Sequence, residues 1–247
     1  MSNKFGLILE CRMGSSRLPG KTLLDLHGMP MILRIIERLN LCKNKDILVV
    51  ATTTNPKDDE LVNILKSEGV NYFRGSEEDV LSRVYLAAKR FSIENIIELH
   101  GDNPFLDPDL IDKCIHLYER KKVDYLSNTL KKTFPMGLRV QVFSTNKLGE
   151  VYKDVSDEAV REHVSLYFYE NPDKYKLINL EAKGSENRPD LRLTVDTRED
   201  FEFISNIYKK ILEEDIYPNF KIDDVIRIVD QYQLRIINQH IISKPVR

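Results

Sequence analysis

The first half of the chain alternates short apolar runs with amphipathic stretches. Five apolar runs predict strands at Phe5–Glu10, Asp46–Ala51, Val70–Phe73, Asn95–Leu99 and Val123–Ser127. Apolar residues at helical spacing predict helices between them at Met31–Leu41, Asp58–Ser67, Glu77–Phe91 and Pro108–Arg120. Such alternation favours right-handed crossovers and a largely parallel sheet. We therefore predict an α/β fold with a Rossmann-like, mostly parallel mixed sheet, helices on both faces, and ligands beyond the carboxyl ends of the strands.

The pattern changes after Asn128. A loop with Pro135 and Gly137 precedes predicted elements of mixed type, which are a strand at Val140–Ser144, helices at Asn146–Val155 and Glu158–Glu170, and an extended segment at Lys176–Glu181. A polar linker then leads to a further strand at Leu191–Val195 and helices at Glu199–Glu213 and Ile222–Gln231. Because this last strand has the same apolar pattern as the strands of the first half, we interpret residues 1–247 as one domain with a subdomain inserted at 130–185.

Composition narrows the function classes. The 247 residues are 42% hydrophobic and 31% charged, and the net charge of −2 gives no basic excess for nucleic acid. No run approaches the roughly 18 apolar residues of a membrane helix. The three cysteines are odd in number and widely spaced, which fits neither a disulfide framework nor a zinc site. We expect a cytoplasmic protein with no membrane or nucleic-acid partner.

The loop after the first strand concentrates small and cationic residues. Within eleven residues it contains Gly14, Gly20, Ser15, Ser16, Arg12, Arg17 and Lys21. Small residues let backbone N–H groups approach an anion closely, and the three cations suit a triphosphate. The spacing is one residue too long for a Walker A loop. The alternative interpretation is a solvated basic turn.

Two aspartates follow predicted strands. Asp102 comes after Asn95–Leu99, and Asp196 comes after Leu191–Val195. Two carboxylates from strand ends, near phosphate-binding cations, suit Mg²⁺, which takes one or two carboxylates, waters and substrate phosphates. Taken singly, Asp102 is also typical of a turn, and Asp196 of a helix N-cap. Their joint placement favours a metal site.

A family resemblance emerges from the order of these motifs. The run Arg12-Met-Gly-Ser-Ser-Arg-Leu-Pro-Gly-Lys21 is followed by Ala51-Thr-Thr-Thr54, Phe73-Arg-Gly-Ser-Glu-Glu-Asp-Val-Leu81, His100-Gly-Asp-Asn-Pro-Phe105, Arg161-Glu-His-Val164 and Leu191-Arg-Leu-Thr-Val-Asp196. Together they resemble the cytidylyltransferase family, which includes CMP-ulosonate synthetases of the acylneuraminate and Kdo types. The resemblance is strongest to the branch named after the spore coat polysaccharide biosynthesis protein SpsF.

The resemblance implies a fold of the nucleotide-diphospho-sugar transferase type and a function. CMP would pass from CTP to a sugar acid or sugar-phosphate-like acceptor, pyrophosphate would leave, and the insertion would form a homodimer. Arg12, Arg17 and Lys21 would be catalytic, and Asp102 and Asp196 would bind Mg²⁺. The nucleotide would contact Gly14, Ser15, Ser16, Thr52, Thr53, Arg74 and Asp79. Some relatives carry another acid where this chain has Thr194.

In the segment expected to bind the acceptor, this sequence differs from the usual residues of that branch. Arg139 and Gln141 stand where it usually carries acids, so we expect a more anionic acceptor. His163 is a candidate for acceptor contact or catalysis, with packing as the alternative. Asp79 and Arg83, four apart on a predicted helix, also fit a surface ion pair.

Two rival functions remain open at this point. One is a glycosyltransferase that uses a nucleotide sugar, although no Asp-x-Asp follows a strand and Asp107-Pro-Asp109 begins a predicted helix. The other is a catalytically silent nucleotide-binding regulator. Pyrophosphate production from CTP and an acceptor separates the enzyme from both.

Overall fold

One seven-stranded sheet organises residues 4–241, which the computed structural model of the protein describes. In spatial order its strands are β3 (Tyr72–Gly75), β2 (Ile47–Thr53), β1 (Phe5–Glu10), β4 (Asn95–His100), β6 (Gln141–Ser144), β5 (Tyr125–Ser127) and β7 (Leu177–Asn179). Strand β6 runs antiparallel to both neighbours, and the other pairs are parallel. The predicted mostly parallel mixed sheet is confirmed.

Helices cover both faces of this sheet. In chain order they are α1 (Met31–Asn40), α2 (Asp59–Ser67), α3 (Val80–Arg90), α4 (Pro108–Lys121), α5 (Thr145–Asp154), α6 (Glu158–Glu162), α7 (Leu166–Glu170), α8 (Arg198–Glu213) and α9 (Ile222–Gln231). Side chains alternate across each strand, so Leu7 and Leu9 pack with α1, α2, α4, α8 and α9, whereas Ile8 packs with α3 and α5 to α7. The two buried layers fix the sheet between them.

Two predicted helices differ from the structure. Helix α3 begins at Val80 rather than Glu77, because the Asp79 carboxylate accepts a hydrogen bond from Ser82 N at 2.9 Å and caps the helix. The predicted helix Glu158–Glu170 is two helices. His163 has non-helical backbone angles and separates α6 from α7. This break turns the chain where it passes over the sheet.

The predicted strand Leu191–Val195 is not part of the sheet. The segment is buried and extended, but its hydrogen bonds go to loops: Leu193 N donates to Met136 O at 2.7 Å, and Val195 N donates to Asp102 O at 2.8 Å. An apolar run has the same pattern in a strand and in a buried extended segment. Because this segment hydrogen-bonds to the backbone of Asp102, the next residue, Asp196, lies beside Asp102 at the candidate site.

The predicted insertion shares the main sheet. Residues 130–185 provide β6, which lies between β4 and β5, and β7 at the edge. Their part in dimerisation or acceptor binding stays a prediction. Across residues 4–241, no helix combines the length and apolarity needed to cross a membrane.

Candidate active site

The loop after β1 is anchored by one buried carboxylate. Asp58 Oδ1 accepts a hydrogen bond from Met13 N at 2.8 Å, and Asp58 Oδ2 accepts from the hydroxyls of Thr52 and Thr53 at 2.8 and 2.6 Å. Although burial raises the pKa of Asp58, these hydrogen bonds bring the pKa below its usual value. Gly20 then adopts a left-handed φ of 72°, which turns the chain towards Lys21.

The same loop presents unoccupied backbone donors. Within residues 4–241, the N–H groups of Gly14, Ser16 and Arg17 donate no hydrogen bond, whereas the intervening Ser15 N donates to Met13 O at 2.9 Å. Neighbouring N–H groups that point outwards from a turn form an anion site. Arg12 and Arg17 add two partly exposed cations. The arrangement suits phosphate oxygens.

Lys21 joins the two predicted metal ligands. Its Nζ lies 3.0 Å from Asp102 Oδ2, 3.1 Å from Asp196 Oδ1 and 2.7 Å from Val195 O. The ends of β1 and β4 approach closely here: a Cβ on Gly101 would lie 2.6 Å from Cys11 Cβ. Two carboxylates from distant parts of the sequence therefore meet at the Lys21 ammonium, and their predicted binding of a metal ion stays a prediction.

Asp196 is held by a second layer of charges. Arg192 Nη2 lies 2.7 Å from Asp196 Oδ2 and 3.0 Å from the fully buried Asp200. Burial would raise the pKa of Asp196, but Lys21, Arg192 and Arg17 bring it below its usual value. The N-cap of α8 is Thr197, so Asp196 is not the helix cap that its position also allowed.

The loop after β1, together with Asp102 and Asp196, borders a cleft of about 420 Å³ at the carboxyl ends of β1 and β4. Of the predicted residues it brings together Arg12, Gly14, Ser15, Ser16, Arg17, Lys21, Asp102, His163 and Asp196. Asp79 borders a neighbouring cleft, to which Arg12 also contributes. The Asp79 carboxylate pairs with Arg161 at 3.2 Å rather than with Arg83.

Three predicted nucleotide contacts lie elsewhere. Thr52 and Thr53 are fully buried against Asp58 and cannot face a nucleobase. Arg74 donates to Thr53 O and Asn55 O at 2.8 and 2.9 Å and pairs with Asp59 at 2.6 Å. These side chains stabilise the strand ends beneath the loop. Burial corrects the predicted nucleotide contact of Thr52 and Thr53, whereas that of the partly exposed Arg74 stays a prediction.

The two predicted acceptor residues, one just before β6 and one at its start, also lie outside the cleft lining. Gln141 is buried, and its Oε1 accepts hydrogen bonds from Tyr125 Oη and Ser165 Oγ, each at 2.6 Å. It belongs to a network inside the protein and does not border the cleft, which corrects the prediction. Arg139 is exposed and precedes the strand, and it is also absent from the cleft lining.

A polar cluster at the sheet end of the cleft was not predicted from the sequence. Glu10 and His100 border the cleft, and Glu98 lies next to them on β4. Burial, together with the Glu10 carboxylate, raises the pKa of Glu98, whereas burial lowers the pKa of His100. The glutamate inside the apolar run Asn95–Leu99 was the sequence feature that could have predicted this cluster, because a charged residue is seldom buried without a partner.

The geometry supports neither a cysteine nucleophile nor an Asp-x-Asp metal motif. Burial raises the pKa of the Cys11 thiol, which keeps it protonated and a poor nucleophile. Asp107 accepts a hydrogen bond from Leu110 N at 2.9 Å and caps α4, as expected for a helix start rather than for an Asp-x-Asp metal motif.

Comparisons with known proteins show the family to which the chain belongs. The family model described as cytidylyltransferase matches residues 7–237. The spore coat polysaccharide biosynthesis protein SpsF of Bacillus subtilis is 34% identical over 93% of this chain and 95% of its own length. The 8-amino-3,8-dideoxy-manno-octulosonate cytidylyltransferase of Shewanella frigidimarina is 29% identical over 67% of this chain and 74% of its own. A solved cytidylyltransferase of Leptospira borgpetersenii superposes with a TM-score of 0.88 at 31% identity, covering 97% of this chain and 99% of that one.

Proposed function

Since the chain belongs to the cytidylyltransferase family and is a CTP-dependent nucleotidyltransferase, we propose that it transfers CMP to a sugar acid for surface polysaccharide biosynthesis. The observation that carries the proposal is the meeting of Lys21, Asp102 and Asp196 at the floor of the cleft. The names of two relatives support the acceptor class, since one acts in spore coat polysaccharide biosynthesis and the other on an octulosonate.

Asp102 and Asp196 are the proposed ligands of Mg²⁺. Within residues 4–241, no group of three or more His, Cys, Asp or Glu side chains is arranged to hold a metal ion. A pair of carboxylates nevertheless fits Mg²⁺, because phosphate oxygens and waters complete its shell. Both carboxylates already face one cationic nitrogen, that of Lys21. When bound, the ion would neutralise phosphate charge and lower the pKa of the attacking hydroxyl.

In the proposed reaction an acceptor hydroxyl oxygen attacks the α-phosphorus of CTP in line with the leaving group. The new P–O bond forms as the bond between the α-phosphorus and its bridging oxygen breaks, pyrophosphate leaves with that electron pair, and the hydroxyl proton passes to water. Arg12, Arg17 and Lys21 would hold the β- and γ-phosphates and stabilise the leaving charge. The donors of Gly14 and Ser16 would orient the triphosphate.

The cellular setting is part of the same proposal. Three free, buried cysteines fit a reducing cytoplasm. A homodimer is proposed from the family resemblance, with residues 130–185 as the candidate interface. Sedimentation analysis of the purified protein would test the dimer, because a monomer at every concentration would exclude it.

The transfer itself is tested by a matrix of substrates. Each of the four nucleoside triphosphates is combined with sugar acids and sugar phosphates in the presence of Mg²⁺, and pyrophosphate release is measured. We expect release with CTP and a sugar acid, and none when either is omitted. A nucleotide sugar consumed without pyrophosphate would instead favour a glycosyltransferase, and tight CTP binding with no turnover would favour a regulator.

A further inference from the structure

Lys21 uses its whole hydrogen-bonding capacity inside the protein. An ammonium group has three N–H donors. Lys21 Nζ has three acceptors, which are Asp102 Oδ2 at 3.0 Å, Asp196 Oδ1 at 3.1 Å and Val195 O at 2.7 Å. The Lys21 side chain is only 12% exposed. A phosphate oxygen can therefore accept a hydrogen bond from Lys21 only after the ammonium has left one of these partners.

The same ammonium lies beside the position of a shared metal ion. Asp102 and Asp196 are the proposed ligands of Mg²⁺, and Nζ contacts one carboxylate oxygen of each. Because Mg²⁺ binds oxygens at about 2.1 Å, an ion that joined these two oxygens would lie within about 4 Å of Nζ. Two cations at such a distance repel each other in a partly buried site. Lys21 and a divalent ion therefore compete for the two carboxylates.

The carboxylates around Lys21 already have as many cationic partners as they have charges. Contacts of 3.1 Å or less join three cations to three carboxylates, which are Lys21, Arg17, Arg192, Asp102, Asp196 and Asp200. A divalent ion added to this balanced cluster leaves an excess of positive charge. A triphosphate supplies the negative charge that offsets it. The charge balance thus disfavours the ion alone and favours the ion together with a nucleotide.

The fold lets the ammonium move while the main chain stays in place. Thr22, next to Lys21, is buried, and its hydroxyl donates to Arg12 O at 3.0 Å, which ties the two ends of the loop together. The four-carbon stem of a lysine is flexible. Lys21 borders the same cleft as Gly14 and Ser16, whose backbone donors suit phosphate oxygens. A triphosphate in this cleft can therefore attract the ammonium without a change in the loop.

We propose that the Lys21 ammonium excludes the divalent ion from Asp102 and Asp196 in the free protein, and that a bound triphosphate admits the ion by drawing the ammonium onto its phosphate oxygens. This inference rests on the proposed roles of the three residues and adds the order in which their ligands bind. The nucleotide and the ion are positively coupled through one side chain. Removal of that side chain raises the affinity of the nucleotide-free protein for the ion, although it lowers turnover.

The test measures Mn²⁺ binding to the purified protein without CTP or acceptor, from the electron paramagnetic resonance signal of the unbound ion. We expect Lys21→Met to bind Mn²⁺ roughly tenfold or more tightly than the wild type, because a competing cation is gone. Lys21→Gln, a second neutral variant, should repeat the gain, and unfolding temperatures verify both folds. Adding Asp102→Asn to Lys21→Met should abolish the gain, which locates the ion at the carboxylates.

Arg17→Met is the matched control. It also removes one positive charge at 3.1 Å from Asp196, but it leaves Lys21 between both carboxylates. Because Arg17 is 39% exposed and its charge is screened, we expect a gain of about threefold or less. An equal gain in Arg17→Met would show a general charge effect and overturn the inference. Unchanged or weaker binding in both Lys21 variants would overturn it as well.

These outcomes are separate from the outcome of the proposed transfer. If the Lys21 variants gain no affinity for Mn²⁺ while the wild type releases pyrophosphate from CTP and a sugar acid, the transfer stands and the exclusion of the ion fails. If the variants bind Mn²⁺ more tightly but no pair of substrates yields pyrophosphate, the exclusion stands and the transfer fails.

Discussion

The two ends of the active-site cleft differ in how their charges are satisfied. The phosphate end is the end of the cleft beside the loop after β1. There Lys21 contacts Asp102, Asp196 and Val195 O, and Arg192 donates a hydrogen bond to Asp196. At the sheet end, Glu10, Glu98 and His100 leave three buried atoms unpaired. A network of opposite charges holds its geometry in the free protein, whereas buried carboxyl groups that lie together shift their pKa. The phosphate end is the one that we propose for catalysis.

The largest expected effect is at the phosphate end. Lys21→Ala or Asp102→Asn should lower kcat/KM for pyrophosphate release by about 10³-fold or more, because each removes charge that stabilises the transferring phosphates. The exposed residues Lys89 and Asp154 provide the matched controls Lys89→Ala and Asp154→Asn. Unfolding temperatures of all four variants verify the fold. Near-normal turnover of Lys21→Ala would refute its assigned role.

The buried ion pair that positions Asp196 should contribute to the free energy of unfolding. Asp200→Asn leaves buried Arg192 with a weakened partner and should lower the free energy of unfolding by roughly 3 kcal/mol. Asp190→Asn is the control, since Asp190 pairs with Arg188 near the surface and should cost about 1 kcal/mol or less. Urea unfolding measures both. Equal losses would show that the buried pair is no more important than a surface pair.

At the sheet end, stability should depend on pH through Glu98. Its pKa is raised by burial and by Glu10, so the folded chain holds the proton more tightly than the unfolded chain. That contribution is complete below the ordinary glutamate pKa and is lost as the pH rises through the raised value. Glu98→Gln cannot ionise and should therefore gain melting temperature relative to the wild type as the pH rises above the ordinary glutamate pKa of about 4.3. A difference that stays constant with pH would contradict this.

The smallest effect concerns the loop anchor. Thr52→Val removes a 2.8 Å hydrogen bond to Asp58 and should cost about 1 kcal/mol of stability. Because Thr52 is fully buried, the preference for CTP over UTP should not change. Thr54→Val, at an exposed position, is the control. A lost preference at unchanged stability would restore the base contact expected from the sequence.

The phosphate end could be predicted from the sequence and the sheet end could not. Gly14 to Lys21 have a recognisable composition, and Asp102 directly follows a clear strand. Glu98, by contrast, sits within an apolar run, and its neighbours depend on which strands pair and in which register. Thr52 and Arg74 lie near the ends of β2 and β3, and their side chains contact Asp58 and Asp59, which no spacing indicates. Leu191–Val195 has a strand pattern, but loops rather than strands take its hydrogen bonds.

The most direct measurement is a crystal structure of the protein with CTP and Mn²⁺, whose anomalous signal locates the ion. We predict a peak between the carboxylates of Asp102 and Asp196, with triphosphate oxygens on Lys21 and on the backbone donors of Gly14 and Ser16. A nucleotide bound away from the loop after β1, or an ion that contacts neither aspartate, would contradict the proposed site.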